Sequence, residues 1–497
     1  MRDFPPLGLL VFAVGAASLG AEIAAARLLA PFFGASTIVW ANTIGIVLVS
    51  LSVGYWLGGR FADRHPVKER LCALVLIAAL AVAVVPFAAD PFLDVSVKAL
   101  DDLSAGAFIG SLLAVTVLIG PPVVLLGAVS PYAVRLAVST VEESGSVAGR
   151  MYAISTAGSL AGTFASALAL IPLVGTRRTF IFFGLLCAVV AVGGVRRRLA
   201  VAVPATILLL AALPVGTIKG SDDARVLEEA ETRHQYARVV EDPDGERKLE
   251  LNEGQAVHSL YRPGSYLTSD YWDGFLVLPF AARERVPRKV AILGNAAGTT
   301  ARAMGHFFPG TSVDAVEIDS ELTRLGRRWF DLRNPRMTVH HEDARPFLRR
   351  SEGGYDSIFV DVYRQPYIPF YLTTREFFAL ARDRLRPGGS VVVNVGHPEG
   401  QDKLEKALTA TMRTAFPSVA RDPVEDTNTL LVASESLSQP RLVDAAGRLP
   451  AALTPVARAS AERLAPPLTG GPVYTDDRAP VEWLVDRSIV DYAASGD

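Results

Sequence analysis

Charge is spread so unevenly along this chain that its two parts cannot share one environment. Of the first 218 residues, 24 are charged (14 basic, 10 acidic); of the remaining 279, 76 are charged (35 basic, 41 acidic). The first part has the composition of membrane-spanning helices. The second has that of a soluble domain long enough to bury a core of its own. With 35 basic against 41 acidic residues the second part is acidic by 6, which argues against a nucleic-acid-binding protein. The two cysteines, Cys72 and Cys187, both stand in apolar runs. A disulfide scaffold, a structural zinc site and a thiol nucleophile are thereby disfavoured.

Apolar stretches of about 17–25 residues, the length that crosses a hydrocarbon core, predict a transmembrane helical domain over residues 1–218. Seven spans are expected, at about 7–33, 36–59, 71–89, 104–134, 151–174, 179–195 and 199–218. The first is too long for a cleaved signal peptide. Gly54/Gly58 and Gly158/Gly162 have the small-xxx-small spacing that lets helix backbones approach. Pro121-Pro122 should interrupt the fourth span. Glu22 and Arg27 are the ionisable residues deepest in a span, which makes Glu22 a candidate for a substrate or lipid role; Arg27 is near enough to the helix end to snorkel.

Lys and Arg concentrate in alternate loops: nine at 60–70, 135–150 and 196–198, against three at 98 and 177–178. The charge rule puts the first set in the cytoplasm and, with seven spans, the soluble domain outside it. The ligand chemistry read below implies the cytoplasm. The multi-pass membrane location is therefore expected without a side.

Residues 219–232 form a polar linker, and residues 233–288 a β-hairpin region with Asp244-Gly245 at a turn. Over 289–434 strands and helices alternate. The strands are KVAILG (289–294), SVDAVEID (312–319), MTVHHED (337–343), YDSIFVDVY (355–363), SVVVNVG (390–396) and NTLLVAS (428–434). Continuous apolar strands between helices predict a Rossmann-like α/β domain of the methyltransferase type, with its ligand at the carboxyl ends of the strands. A C-terminal extension covers 435–497. Three positions at the strand ends carry the chemistry. The turn GNAAGT (294–299) suits close backbone approach by a ligand. Glu317 ends the second strand, where an acid typically bonds ribose hydroxyls. Asp343 and Asp361 end the third and fourth; Asp343 before Ala-Arg-Pro also reads as a helix cap. His340 and His341 point to opposite faces of one strand and cannot jointly hold a metal. Trp272, Trp329 and Trp483 read as packing residues.

These residues resemble the spermidine synthases (polyamine aminopropyltransferases), in which a β-hairpin region precedes a methyltransferase-type Rossmann domain. The matches lie in VEID (316–319), Asp343-Ala344, the strand ending at Asp361 and TTREFFALARDRLRPGG (373–389). With the apolar first part and the ending TDDRAPVEW (475–483), the chain is similar to the membrane-fused, spermidine-synthase-like proteins of bacteria. The resemblance implies an integral-membrane transferase that moves an aminopropyl group from decarboxylated S-adenosylmethionine to an amine. It implies that Gly294, Asn295, Gly298, Glu317, Asp343 and Ala344 bind the donor, with Glu317 on the ribose and Asp343-Ala344 on the adenine. Asp361 would be the catalytic base. Gln255, His258, Tyr271, Asp273 and Tyr363 would line the acceptor side, and no metal is needed. The pattern departs in four places: Ala297 stands where the family's glycine turn carries an acid, Arg364 stands three residues after Asp361 where another acid is expected, the hairpin motif ending in Gln appears as LNEGQAVHS (251–259), and the family's Tyr-His-Glu run is Tyr271-Trp272-Asp273. Two alternatives stay open. One is a methyltransferase that uses S-adenosylmethionine itself; the other is a catalytically inactive extracytoplasmic module for binding or assembly. Expected partners are membrane lipids and a small-molecule amine, with a homodimer kept open and nucleic acid not expected.

Overall fold

The structure is a computed structural model that describes residues 5–484 apart from 101–105, 196–197, 215, 222, 255 and 364–366. It divides into two compact units, one comprising Met1–Gly220 and Glu231–Tyr236, the other Ser221–Ala230 and Ala237–Asp497.

The first unit is helical. Five helices are long and apolar enough to cross a membrane: Leu7–Phe33, Val39–Arg64, Lys68–Ala89, Ile109–Ala137 and Ser144–Val174. This corrects the seven spans read from hydropathy. The sixth and seventh stretches are helical but short, at 17 residues for Thr176–Val192 and 11 for Ala202–Ala212. At 1.5 Å per residue they reach only about 26 and 17 Å, against a hydrocarbon core of about 30 Å. Gly193 and Gly194 follow the first of them. Before Pro214, Leu213 takes up extended backbone and ends the second. The fourth span is broken as its prolines require: a π-helical turn, Val115–Ile119, precedes the helix Gly120–Gly127 that contains Pro121 and Pro122. Small residues set the helix contacts. A Cβ added at Gly158 or Gly162 would stand 2.2 and 2.1 Å from the carbonyl oxygens of Phe12 and Ala16. At Gly54 and Gly58 it would stand 2.4 and 2.3 Å from those of Val124 and Ala128. No larger residue allows backbones so close.

The second unit opens with a four-stranded sheet of β1 (Arg225–Glu231), β2 (Tyr236–Glu241), β3 (Arg247–Leu251) and β4 (Val257–Tyr261), in that spatial order. The turn between β2 and β3 holds Gly245 at φ 85°, a left-handed conformation that suits glycine. A seven-stranded sheet follows, made of β5 (Lys289–Leu293), β6 (Ser312–Val316), β7 (Met337–His340), β8 (Tyr355–Val360), β9 (Leu385–Gly396), β10 (Ser418–Glu425) and β11 (Asn428–Ser434). Its order is β10-β11-β9-β8-β5-β6-β7. The five strands β5–β9 pair in parallel, whereas β11 runs antiparallel to β9 and to β10. The sequence reading had missed β10.

Both faces of the sheet are covered. Val290, Ile292, Phe359, Val392, Leu430 and Val432 belong to one buried cluster, and Ala291, Leu293, Ile358, Val360, Val391, Val393 and Leu431 to the other. That alternation is the period-two signature of strands buried on both sides. Helices Gln439–Ala446 and Leu453–Arg463, in the C-terminal extension, put Leu442, Leu453 and Ala457 into the first of these clusters. β5 has β8 on one side and β6 on the other, so the strand order reverses between β5 and β8. A ligand crevice is expected there, beyond their carboxyl ends.

Candidate active site

β5 leaves the sheet at Gly294, where φ is 82° and an added Cβ would lie 2.1 Å from the carbonyl oxygen of Asp361. The turn after β5 and the end of β8 therefore touch backbone to backbone. The turn continues through Ala296, itself at φ 45°, to Gly298 at φ 92°, which precedes the helix Thr299–Phe307. An alanine in the left-handed region needs support. Glu317, at the end of β6, supplies it: one carboxylate oxygen accepts from the Ala296 N–H at 2.8 Å and the other from the Asp319 N–H at 2.9 Å. Glu317 is 7% exposed, and burial raises its pKa to about 7 against the pull of those backbone donors. β4 closes the turn from the other side. The Ser259 hydroxyl accepts from the Ala297 N–H at 3.0 Å, and the Thr299 hydroxyl accepts from the Leu260 N–H at 2.8 Å.

Asp361 follows β8. Its Oδ1 accepts from Asn394 Nδ2 at 2.9 Å and its Oδ2 from the Tyr271 hydroxyl at 3.1 Å, with Trp272 as a further donor. Burial outweighs these donors and raises its pKa to about 6. Beside the carboxylate lies a small pocket whose walls include His258, Ser259, Trp272, Gly294, Asn295, Thr299 and Thr300. Asn295 is 5% exposed, and neither its Oδ1 nor its Nδ2 has a hydrogen-bond partner. A buried amide with both ends unsatisfied is destabilising in the absence of a ligand. It suits a molecule that offers a donor and an acceptor together.

The other candidates differ in where they lie. Asp343, after β7, caps the helix Ala344–Arg350 by accepting from the Arg345 N–H at 2.9 Å, and it also takes the Tyr371 hydroxyl at 2.5 Å; Ala344 is buried at the start of that helix. His258 lines the pocket. Asp273 is turned elsewhere, accepting from the backbone N–H groups of Thr268 and Ser269 at 2.9 and 2.8 Å. The Tyr363 hydroxyl accepts from the Gly396 N–H. Gln255 and Arg364 lie outside the described residues. The Ala297 side chain is buried in an apolar cluster with Leu322, Leu325 and Phe330.

Sequence reasoning passed over three residues of the site. Trp272, read as packing, donates to Asp361 and lines the pocket. Asn394 holds Asp361, and Asn428 donates to Asn394 Oδ1 at 2.9 Å. One signal for Asn394 was available: a lone amide in the middle of the buried run SVVVNVG.

Residues 278–424 match the model of the spermine/spermidine synthase domain. A probable polyamine aminopropyl transferase of Bifidobacterium longum is 30% identical over 290 residues, which cover 53% of this chain and 64% of that protein. Polyamine aminopropyltransferase 2 of Pseudomonas aeruginosa is 31% identical over 212 residues, 39% of this chain and 56% of that one. The chain thus spans between half and two thirds of these relatives. Among solved structures, a probable spermidine synthase from Corynebacterium glutamicum aligns with 52% of this chain and 97% of its own at 22% identity, with a TM-score of 0.40. The turn after β5, Glu317, Asp361 and Asn394 all lie within the stretch that matches the spermine/spermidine synthase domain.

Proposed function

We propose that this chain is a membrane-embedded transferase that moves an aminopropyl group from decarboxylated S-adenosylmethionine to an amine. The observation that carries the reading is the half-buried Asp361 carboxylate, with its pKa raised to about 6, beside the turn that joins β5 to its helix. An acceptor ammonium gives its proton to Asp361. The freed nitrogen lone pair attacks the donor's methylene next to sulfur, the C–S bond breaks with its electrons going to sulfur, and neutral methylthioadenosine leaves. Such a displacement needs positioning and the removal of one proton, and one desolvated carboxylate can do the second. Glu317 would take the ribose hydroxyls with the lone pairs its two backbone donors leave over, and Asp343-Ala344 would face the adenine. Asn295 would pair with the bound donor. The five long apolar helices support placing the first unit in a membrane.

The experiment is incubation of the purified full chain with a diamine and either donor, followed by mass spectrometry. Gain of an aminopropyl group with release of methylthioadenosine is the expected result. A methyl group gained from S-adenosylmethionine overturns it in favour of a methyltransferase, the second reading, which is favoured by Ala297 lying in an apolar cluster where an acid would prefer the decarboxylated donor.

A further inference from the structure

A second pocket belongs wholly to the first unit. Its walls include Arg27, Leu28, Pro86, Thr176, Arg177 and Glu231. The order of the helices explains why these residues meet. Arg27 stands near the end of the helix Leu7–Phe33, about 9 Å short of it at 1.5 Å per residue. Pro86 stands in the last turn of the apolar helix Lys68–Ala89. Alternating passes through a bilayer bring the ends of a first and a third span to the same side, and Thr176 opens the helix Thr176–Val192 there. With the first unit in a membrane, the pocket lies at the depth of the lipid headgroups, where the hydrocarbon core ends.

Leu28 and Pro86 make part of the wall apolar; the rest carries charge of both signs. The half-buried Arg177 holds its guanidinium 4.0 Å from the centre of the Phe87 ring and donates to the Pro214 carbonyl at 3.4 Å; among the described residues no carboxylate pairs with it. Arg27 donates to the Arg233 carbonyl. A neutral carbonyl fixes a guanidinium in place without cancelling its charge, and each guanidinium has five N–H donors. Glu231 Oε2 accepts from the Thr176 N–H at 2.8 Å, which leaves the carboxylate most of its acceptor capacity. Thr176 is 2% exposed, and its hydroxyl has no hydrogen-bond partner among the described residues. A buried hydroxyl of this kind is destabilising unless a bound molecule satisfies it. A purely anionic headgroup would suit the arginines but meet the Glu231 carboxylate. A quaternary ammonium would bring no N–H to that carboxylate. A phosphate diester with a primary ammonium matches every group: the guanidinium forks and the Thr176 hydroxyl donate to phosphate oxygens, and the ammonium donates to Glu231.

We propose that this pocket binds the headgroup of a phospholipid that carries a phosphate diester and a primary ammonium, with the phosphate on Arg27, Arg177 and Thr176 and the ammonium on Glu231. The inference rests on the membrane placement of the first unit and is independent of the chemistry at Asp361. It gives the helical unit a lipid-recognition site that the spans alone do not require.

The test is native mass spectrometry of the full chain released from detergent, with dioleoyl phosphatidylethanolamine, phosphatidylglycerol or phosphatidylcholine added in turn. The unchanged protein should bind the ethanolamine lipid about tenfold more tightly than either of the others. Arg177→Gln should lower that affinity about tenfold, and Glu231→Gln should erase the preference for the ethanolamine lipid over the glycerol lipid. Melting temperatures show that each variant is folded; if Glu231→Gln is not, Arg177→Gln, at the half-buried position, decides. Equal affinities for the three lipids in the unchanged protein overturn the proposal, as does a preference that survives in the folded variants. Soluble phosphoethanolamine separates the sources of the headgroup: binding as tight as that of the lipid assigns the pocket to a free phosphate ester and overturns the lipid assignment. Carbonate extraction of membranes containing the chain is scored separately. Release into the wash refutes the membrane placement and the site with it, whereas a retained chain without lipid preference refutes the site alone.

Discussion

Asp361→Asn should separate activity from stability, and the direction of the stability change reverses with pH. Burial raises the Asp361 pKa from 3.8 to about 6. Those roughly two units correspond to about 3 kcal/mol of penalty for carrying the ionised group in the folded state. The sign follows from linkage. The folded-state value lies above the unfolded one, so the stability that the proton confers is complete below pH 3.8 and disappears as the pH rises through about 6. Asparagine carries no such penalty. It does lose acceptor capacity: Tyr271, Asn394 and Trp272 all donate to the carboxylate. An amide oxygen serves at most two of them, and one unsatisfied donor costs about 1–3 kcal/mol. At pH 8 the avoided ionisation penalty offsets that loss, and the variant should be at least as stable as the parent. At pH 4, where the parent is protonated, the variant should be less stable by about 1–3 kcal/mol. Denaturant titration of the full chain in detergent, followed by tryptophan fluorescence at both pH values, reads this difference. In the same preparation turnover should fall at least about a hundredfold, the usual scale of general-base catalysis, while methylthioadenosine binds as before. A variant several kcal/mol less stable than the parent at pH 8 would make Asp361 a structural residue. A stable variant that keeps its turnover would refute the base assignment.

Glu317→Gln should weaken methylthioadenosine binding at least tenfold, since charge-assisted bonds to two hydroxyls contribute about 1.5–3 kcal/mol each. In the parent that affinity should itself decline as the pH falls below about 7, the Glu317 pKa, because the hydroxyls bind the ionised form; calorimetry checks both. Tyr271→Phe removes a donor that lowers the Asp361 pKa, so the acid limb of the pH–rate profile should move upward with little change in melting temperature. Gly294→Ala should destabilise the soluble domain by more than about 2 kcal/mol, since a left-handed φ and a backbone clash act together; denaturant midpoints test it.

What the amino-acid order determined by itself is local. Continuous apolar runs between helical stretches place the strands β5 to β9, glycines at 294 and 298 announce a turn with left-handed residues, and Glu317 and Asp361 stand out as acids that follow apolar runs. These signals survive because they depend on neighbours within a few positions, where propensity and pattern operate. The helix lengths in the first unit were legible only in part. Hydropathy detects an apolar run, but Pro214 and the Gly193-Gly194 pair decide where hydrogen bonding stops, which left two of the seven stretches too short. The surroundings of Asp361 were decided by the tertiary structure alone. Asn394 reaches it because β9 pairs in parallel with β8, Asn428 braces Asn394 because β11 pairs antiparallel with β9, and Trp272 reaches it because the segment after β4 returns to the end of β8. Strand order and register are set by burial of whole faces across more than a hundred residues of chain. The partners of one carboxylate, and with them its pKa, therefore cannot be read from the residues beside it in sequence.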